Sequence, residues 1–215
     1  MTGSDFGFAF FDTAIGRCSI VWNARGVVRT RLPEDNERAT RERMARRYPQ
    51  ARENTPPEEI RCAIDDMIAL LAGEPKDLTG VKIDTAGVPD FNAKVYDIAR
   101  TIPPGKTMTY GEIAERLGDR TLSREVGQAL GQNPFPIIVP CHRVLAAGGK
   151  TGGFSAPGGV STKMRMLTIE RAQTNGPAVV DQLSLFDQLP LAAPGSASGS
   201  ALGRASVRSP RRGQA

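Results

Sequence analysis

The only histidine of the chain, His142, directly follows Cys141, one of three cysteines. A free thiol is only a few per cent ionised at neutral pH, so a nucleophilic cysteine needs a base or a positive field beside it, and an imidazole supplies either. Side chains of adjacent residues in an extended stretch point to opposite faces. The pair therefore requires a bridging water or a turn, with Glu170 a candidate third member that orients the ring. The plainer reading of Cys141 is a small hydrophobe packed in a core, the common fate of cysteine. Its setting argues for more. Residues 137–139 read as a short buried strand, and Pro140 keeps Val139 extended and denies the next position a donor, so Cys141 leaves a rigid support.

Two short helices precede that support. Thr109-Tyr110-Gly111-Glu112 is a capping box opening a helix through Leu117 that closes at Gly118, and Ser123 begins a second helix over 124–130. Such a pair is a helix-turn-helix pattern, which places its second helix in a DNA groove, although most such pairs only pack. The second helix carries Gly127, Ala129 and Gly131 on one face, and Arg124 is its only long basic residue. A small face with one insertable side chain suits a minor groove, whereas a major-groove reader offers more Arg, Asn or Gln. The competing account is close helix packing. After Cys141 comes a Gly-rich loop over 151–159, dense in backbone donors. A last helix over 161–172 is expected to turn Met164, Leu167 and Ile169 inward and carries Lys163 and Glu170.

The first half reads as a meander with strands over 8–11, 18–22 and 27–32, followed by helices over 37–48 and 57–71 and a returning strand over 81–84. Asp90 is read as the cap of a helix with Phe91, Val95, Ile98 and Ala99 on one stripe. The expected fold is α+β: a small sheet-plus-helix domain over 1–87 that is all core and no chemistry, then a mostly helical domain over 88–173 containing the helix-turn-helix. From Thr174 periodicity disappears, and 174–215 is expected to be a disordered tail.

Composition narrows the function classes. With 40% hydrophobic and 24% charged residues the chain is an ordinary globular protein. The start of the sequence lacks the basic region and apolar core of a signal peptide, and no apolar run approaches a membrane span, so a cytoplasmic location and no membrane partner are expected. Cys18, Cys62 and Cys141 lie far apart and only one histidine exists, which indicates neither a disulfide framework nor a metal site. Four of the charges behind the formal +5 are Arg204, Arg208, Arg211 and Arg212, in a stretch without acids. Elsewhere the distribution matters: residues 56–86 hold seven acids against three bases, while 141–171 hold five Lys or Arg against Glu170 alone.

Pro140-Cys141-His142-Arg143-Val144, preceded by Asn133-Pro134, by Thr109-Tyr110-Gly111-Glu112 and by Arg124, resembles the O6-alkylguanine-DNA alkyltransferase family over about 91–172. The resemblance implies a single-turnover repair protein without cofactor. Cys141 takes the alkyl group from O6 of a guanine in double-stranded DNA, with O4-alkylthymine as a further substrate, after the base is flipped from the minor groove. It implies His142 as base through water, Glu170 as its orienter, Tyr110 as donor to the base and Asn133 holding the turn beneath the site. Arg124 would fill the gap left by the flipped nucleotide, with Gly127, Gln128 and Arg143 toward DNA, the backbone at Val144 reading the exocyclic amine and the Ser155 amide meeting O6. Phe154 stands where many members have tyrosine, and Ala156-Pro157 are extra relative to shorter members, which leaves the pocket differently shaped.

Gln182, Leu183, Leu185 and Phe186, within 182–186, resemble the bacterial sliding-clamp binding pentapeptide, against the reading of a chance apolar patch. Two other functions fit parts of the pattern. One is a DNA-binding sensor of alkylation, and the other a transcriptional regulator methylated at Cys141. A cysteine hydrolase fits less well, because no separate histidine exists to pair with the thiol.

Overall fold

Residues 6–34 and 36–173 are described by the computed structural model. β1 (Gly7–Thr13), β2 (Gly16–Asn23) and β3 (Gly26–Arg31) form the predicted antiparallel meander. The turn before β3 depends on Gly26, at positive φ, where a Cβ would stand 2.5 Å from the Lys82 carbonyl oxygen. The segment 81–84, expected as a returning strand, makes only an isolated parallel bridge from Val27 to Ile83. β4 (Arg52–Glu53), too short to announce itself by alternation, pairs in parallel with β1 and completes a sheet of order β3-β2-β1-β4.

The helices cover this sheet and carry the rest of the molecule. α1 (Glu37–Arg47) is capped by Asn36, whose Oδ1 accepts from the Ala39 N–H at 3.1 Å. α2 (Glu58–Leu71) puts Ile60, Ile64, Met67 and Leu71 into the cluster that holds Phe11, Cys18, Ile20 and Trp22 of the sheet. In α3 (Asp90–Arg100) the N-cap position is Pro89, not Asp90, and no side chain caps the helix. The aspartate sits instead in the first turn, where its charge favours the helix N-terminus.

β5 (Met108–Thr109) leads into α4 (Tyr110–Arg116), and a 3-10 turn at Arg120–Leu122 leads into α5 (Ser123–Gly131). The capping box is formed: Thr109 Oγ1 accepts from Glu112 N–H at 3.1 Å, and the Glu112 carboxylate accepts from Thr109 N–H at 2.5 Å. β6 (Val144–Leu145) runs parallel to β5 and so ties the start of α4 to the segment that follows Cys141. α6 (Gly159–Ile169) begins two residues earlier than predicted, and its buried side is Lys163, Met166 and Leu167. Met164, expected inward, is only half-buried.

The result is an α+β fold with one contiguous buried cluster, running from Phe11 and Ile20 through Tyr96, Val126 and Phe135 to Val144 and Met166. Among the described residues no helix is long and apolar enough to cross a membrane. The tail over 174–215 and its clamp-like segment lie outside the described residues.

Candidate active site

Residues 137–139 are buried as expected but form a turn rather than a strand. Ile137 has φ 78°, a conformation that costs a β-branched residue roughly 1–3 kcal/mol and persists only when its surroundings dictate it. Asn133 is one such constraint. Its Oδ1 accepts from the Phe135 N–H at 2.9 Å while its Nδ2 donates to the Val139 carbonyl at 2.9 Å, spanning the turn. β3 is another, because Thr30 donates through its N–H to the Pro134 carbonyl at 3.0 Å and through Oγ1 to the Pro136 carbonyl at 2.6 Å. Cys141–Arg143 then form a single 3-10 turn, with the Cys141 N–H donating to Val139 O at 2.8 Å. The Cys-His pair therefore leaves the turn on a bend, not in the extended conformation that would drive the two side chains apart.

Behind Cys141 lies a buried network of charge. Glu170, the residue after α6, places Oε1 2.9 Å from His142 Nε2, and the side chains of both are 1% exposed. Arg143 donates to the same carboxylate through Nε at 2.8 Å and a terminal nitrogen at 2.9 Å, and to the Ile102 carbonyl at 2.5 Å. Burial alone would raise the Glu170 pKa, but the hydrogen bonds from His142 and Arg143 outweigh it and hold the carboxylate at about 2. The opposite holds for His142, where burial pushes the pKa down further than Glu170 restores it. An ionised Glu170 assigns the ring proton to Nε2 and leaves Nδ1, which has no partner among the described residues, as a bare acceptor.

Lys163 is wholly buried, donates to the Val144 carbonyl at 2.6 Å and lies 6.0 Å from the centroid of the Tyr110 ring. Burial drops its pKa to about 8, against the pull of Cys141. Burial likewise raises the Cys141 pKa, opposed by the Asn133 side chain and by the charge of Lys163. The resting sulfur is accordingly a thiol in a site already furnished with a base and a cation.

In front of Cys141 a cavity of about 530 Å³ opens between α4, α5 and the Gly-rich loop, within the range of small-ligand pockets. Tyr110, Arg124, Gly127, Phe154 and Ser155 line it together with the cysteine. A Cβ at Gly127 would meet the Tyr110 ring only at an ordinary contact distance of 3.9 Å, so the space there does not by itself demand glycine. Gly152, at φ 68°, lies closer still: a Cβ there would approach the Tyr110 hydroxyl and ring to 3.0 Å. Ser155 Oγ donates to the Gly131 carbonyl at 2.8 Å, fastening the loop to the end of α5.

Residues 90–172 match the family described as 6-O-methylguanine DNA methyltransferase, DNA binding domain. Over 125 residues, 58% of this chain and 70% of the relative, the sequence is 42% identical to a methylated-DNA–protein-cysteine methyltransferase of Mycobacterium bovis. The chain belongs to this methyltransferase family. Solved structures agree with that membership. One is the Mycobacterium tuberculosis OGT in complex with DNA, at TM-score 0.63 and 32% identity over 84% of this chain and 99% of that one. Another is the O6-methylguanine-DNA methyltransferase of Pyrococcus kodakaraensis, at TM-score 0.57 and 26% identity over 77% and 98%.

Not every residue assigned to the DNA side of this methyltransferase lies there. Arg143 is 5% exposed and its guanidinium is committed to Glu170 and Ile102, so it has nothing to offer a phosphate or a base; its assignment to DNA is corrected to an internal one. Val144 is also fully buried, and its carbonyl already accepts from Lys163. Arg124 and Gln128 on α5 are exposed. The sequence reading passed over Lys163 as merely part of a helix. Its signal was available in the spacing, because Lys163, Met166 and Leu167 fall at i, i+3 and i+4, which puts a lysine on the buried stripe.

Proposed function

We propose that this methyltransferase repairs double-stranded DNA by moving the alkyl group of an O6-alkylguanine irreversibly onto Cys141, once per molecule. The observation that carries the reading is a cysteine at the junction of a base-sized cavity and a buried Glu170–His142 pair whose free ring nitrogen is Nδ1. His142 Nδ1 takes the thiol proton through a water, Glu170 stabilises the imidazolium that results, and Lys163 offsets the negative charge growing on sulfur. The sulfur attacks the alkyl carbon, the carbon–O6 bond breaks, and guanine leaves with a proton supplied at the base, for which Tyr110 is the proposed donor. No redox step occurs, so no cofactor is called for.

A base in a duplex is out of reach of Cys141, so flipping is required at a cost of a few kcal/mol. Arg124, exposed at the rim of the cavity, is proposed to fill the gap left in the stack, with Gly127 and Gln128 of α5 against the minor groove. Asn133 holds the turn, and the Ser155 amide meets O6. O4-alkylthymine is a second proposed substrate. Residues 88–173 are proposed as the catalytic and DNA-binding part, 1–87 as its support, and 174–215 as a tail that tethers a sliding clamp through Gln182, Leu183, Leu185 and Phe186. The proposed setting is cytoplasmic, which suits three free cysteines.

Intact-mass measurement after incubation with a duplex containing O6-methylguanine tests the central claim. One methyl group should appear on the peptide containing Cys141 and never more than one per protein. Transfer that persists in Cys141→Ala refutes it. DNA binding by the wild type without any mass change would favour the alternative of an alkylation sensor, and promoter binding that alters on methylation would favour a regulator.

A further inference from the structure

A second cavity, of about 250 Å³, also reaches Cys141, on the side of the sulfur that faces β3. Leu130, Gly131, Phe154 and Ser155 border both spaces, but the second is walled in addition by Arg29 and Arg31 of β3, by Asn133 and Pro136 of the turn and by Ala156-Pro157 of the loop. Its position matters for the displacement reaction. The attacking sulfur and the departing O6 lie on opposite sides of the reacting carbon, so whatever else that carbon carries must extend sideways, into space beside the sulfur. A methyl group needs none of this space, and a longer substituent does.

The charge of the wall is unusual. Arg29 is half-buried and has no carboxylate within ion-pair distance among the described residues. Arg31 pairs with Glu34 at 2.6 Å, but Glu34 is also engaged by Arg43, so its charge is already compensated. The titratable groups bordering the cavity are thus two guanidiniums, one shared carboxylate and Cys141 itself. Burial pulls the Arg29 pKa down, and the nearby positive charge of Arg31 adds to that, against the Tyr48 hydroxyl. An anion entering the cavity would therefore meet a cation that has lost part of its hydration and has a neutral hydroxyl, Tyr48, beside it rather than a carboxylate to give up.

We propose that this cavity is a subsite for guanines whose O6 substituent is short and anionic, carboxymethyl being the simplest, with Arg29 as its specificity-determining counter-charge. The inference rests on the transfer reading above. In the step itself the Cys141 sulfur forms a bond to the methylene carbon and the methylene–O6 bond breaks. The electron pair stays on the guanine, which gains a proton, and the product is S-carboxymethylcysteine. No electrons are exchanged with any other reactant.

Single-turnover transfer to the full-length protein is measured from three duplexes carrying O6-methyl-, O6-carboxymethyl- or O6-carbamoylmethylguanine, read by the mass of the Cys141 peptide. Carboxymethyl and carbamoylmethyl are nearly equal in size and differ in charge. The wild type should favour the carboxymethyl substrate by about tenfold, the margin of one charge-assisted hydrogen bond over a neutral one. That ratio should collapse towards one in Arg29→Gln and largely survive in Arg29→Lys. Equal rates in the wild type, or a preference that survives Arg29→Gln, overturn the subsite, as does a variant that slows all three substrates alike. Absence of methyl transfer by the wild type is a different failure, because it removes the transfer reading on which the subsite stands.

Discussion

Glu170 serves two buried donors at once, and the consequences of changing it separate chemistry from packing. Glu170→Gln keeps the shape but removes the charge that would stabilise a protonated His142, and it leaves Arg143 a buried cation without an anion. Single-turnover methyl transfer should slow by about 10²-fold, the usual weight of an acid–base group, and urea denaturation should show a loss of about 3–5 kcal/mol. Arg143→Met should reproduce the stability loss, since it strands Glu170, while slowing transfer less, because the His142 contact persists. Lys163→Met tests the cation behind the sulfur. Without it the thiolate loses its nearby positive charge, so the pH dependence of transfer should shift to higher pH and the rate at neutral pH fall by about tenfold or more. An unchanged pH profile in Lys163→Met would remove Lys163 from the chemistry and leave it a packing residue that satisfies Val144.

At the level of elements, the first half of the chain contributes more than a core. β3 reaches the active-site turn directly through Thr30, which holds the carbonyls of Pro134 and Pro136. Thr30→Val loses the hydroxyl bond at near-constant volume and should slow transfer several-fold at a stability cost of about 1 kcal/mol. Thr30→Ser, which keeps the hydroxyl, should transfer at close to the wild-type rate, a rescue that simple loosening of the core would not give. This linkage was invisible in the sequence because it joins residues more than a hundred positions apart. What was legible had a local cause: alternation and turn glycines for the meander, the reciprocal Thr109–Glu112 box for α4, and the stripe of Ile60, Ile64 and Met67 for α2. Residues 137–139 were misread because an apolar run looks the same in a buried strand and a buried turn, and the positive φ of Ile137 is imposed by Asn133 and Thr30 from outside the run. Arg143 was misread for a related reason. A charged residue reads as exposed until its partner is known, and Glu170 lies 27 residues away.

Across the whole molecule the buried ionisable groups impose a pH optimum on stability, because each binds protons differently once the chain unfolds. Glu170 is held at about 2 against 4.5 when exposed, so the stability it lends is present above pH 4.5 and disappears as pH falls towards 2. His142 is depressed below 6.5, so the unfolded chain gains a proton that the folded one resists, and stability drains as pH falls below 6.5. Lys163 acts in the same direction higher up. At about 8 against 10.5, it makes the fold gain stability as pH rises between those values. The thiols oppose it. Cys18, raised by burial to about 12, and Cys141, raised as well, stay protonated in the fold while the unfolded chain ionises above about 9, so stability falls again as the solution becomes more alkaline. Tyr96, also near 12, adds to that fall above 10. The balance predicts that urea midpoints climb from pH 4 to a maximum in the mildly alkaline range, near pH 8–9 in order of magnitude, and decline beyond it. In Lys163→Met the part of the climb above pH 8 should vanish and the maximum move towards neutrality. A Lys163→Met profile that peaks where the wild type does would mean that Lys163 titrates in the fold as it does in water, contrary to its burial among Val144, Tyr110 and Cys141.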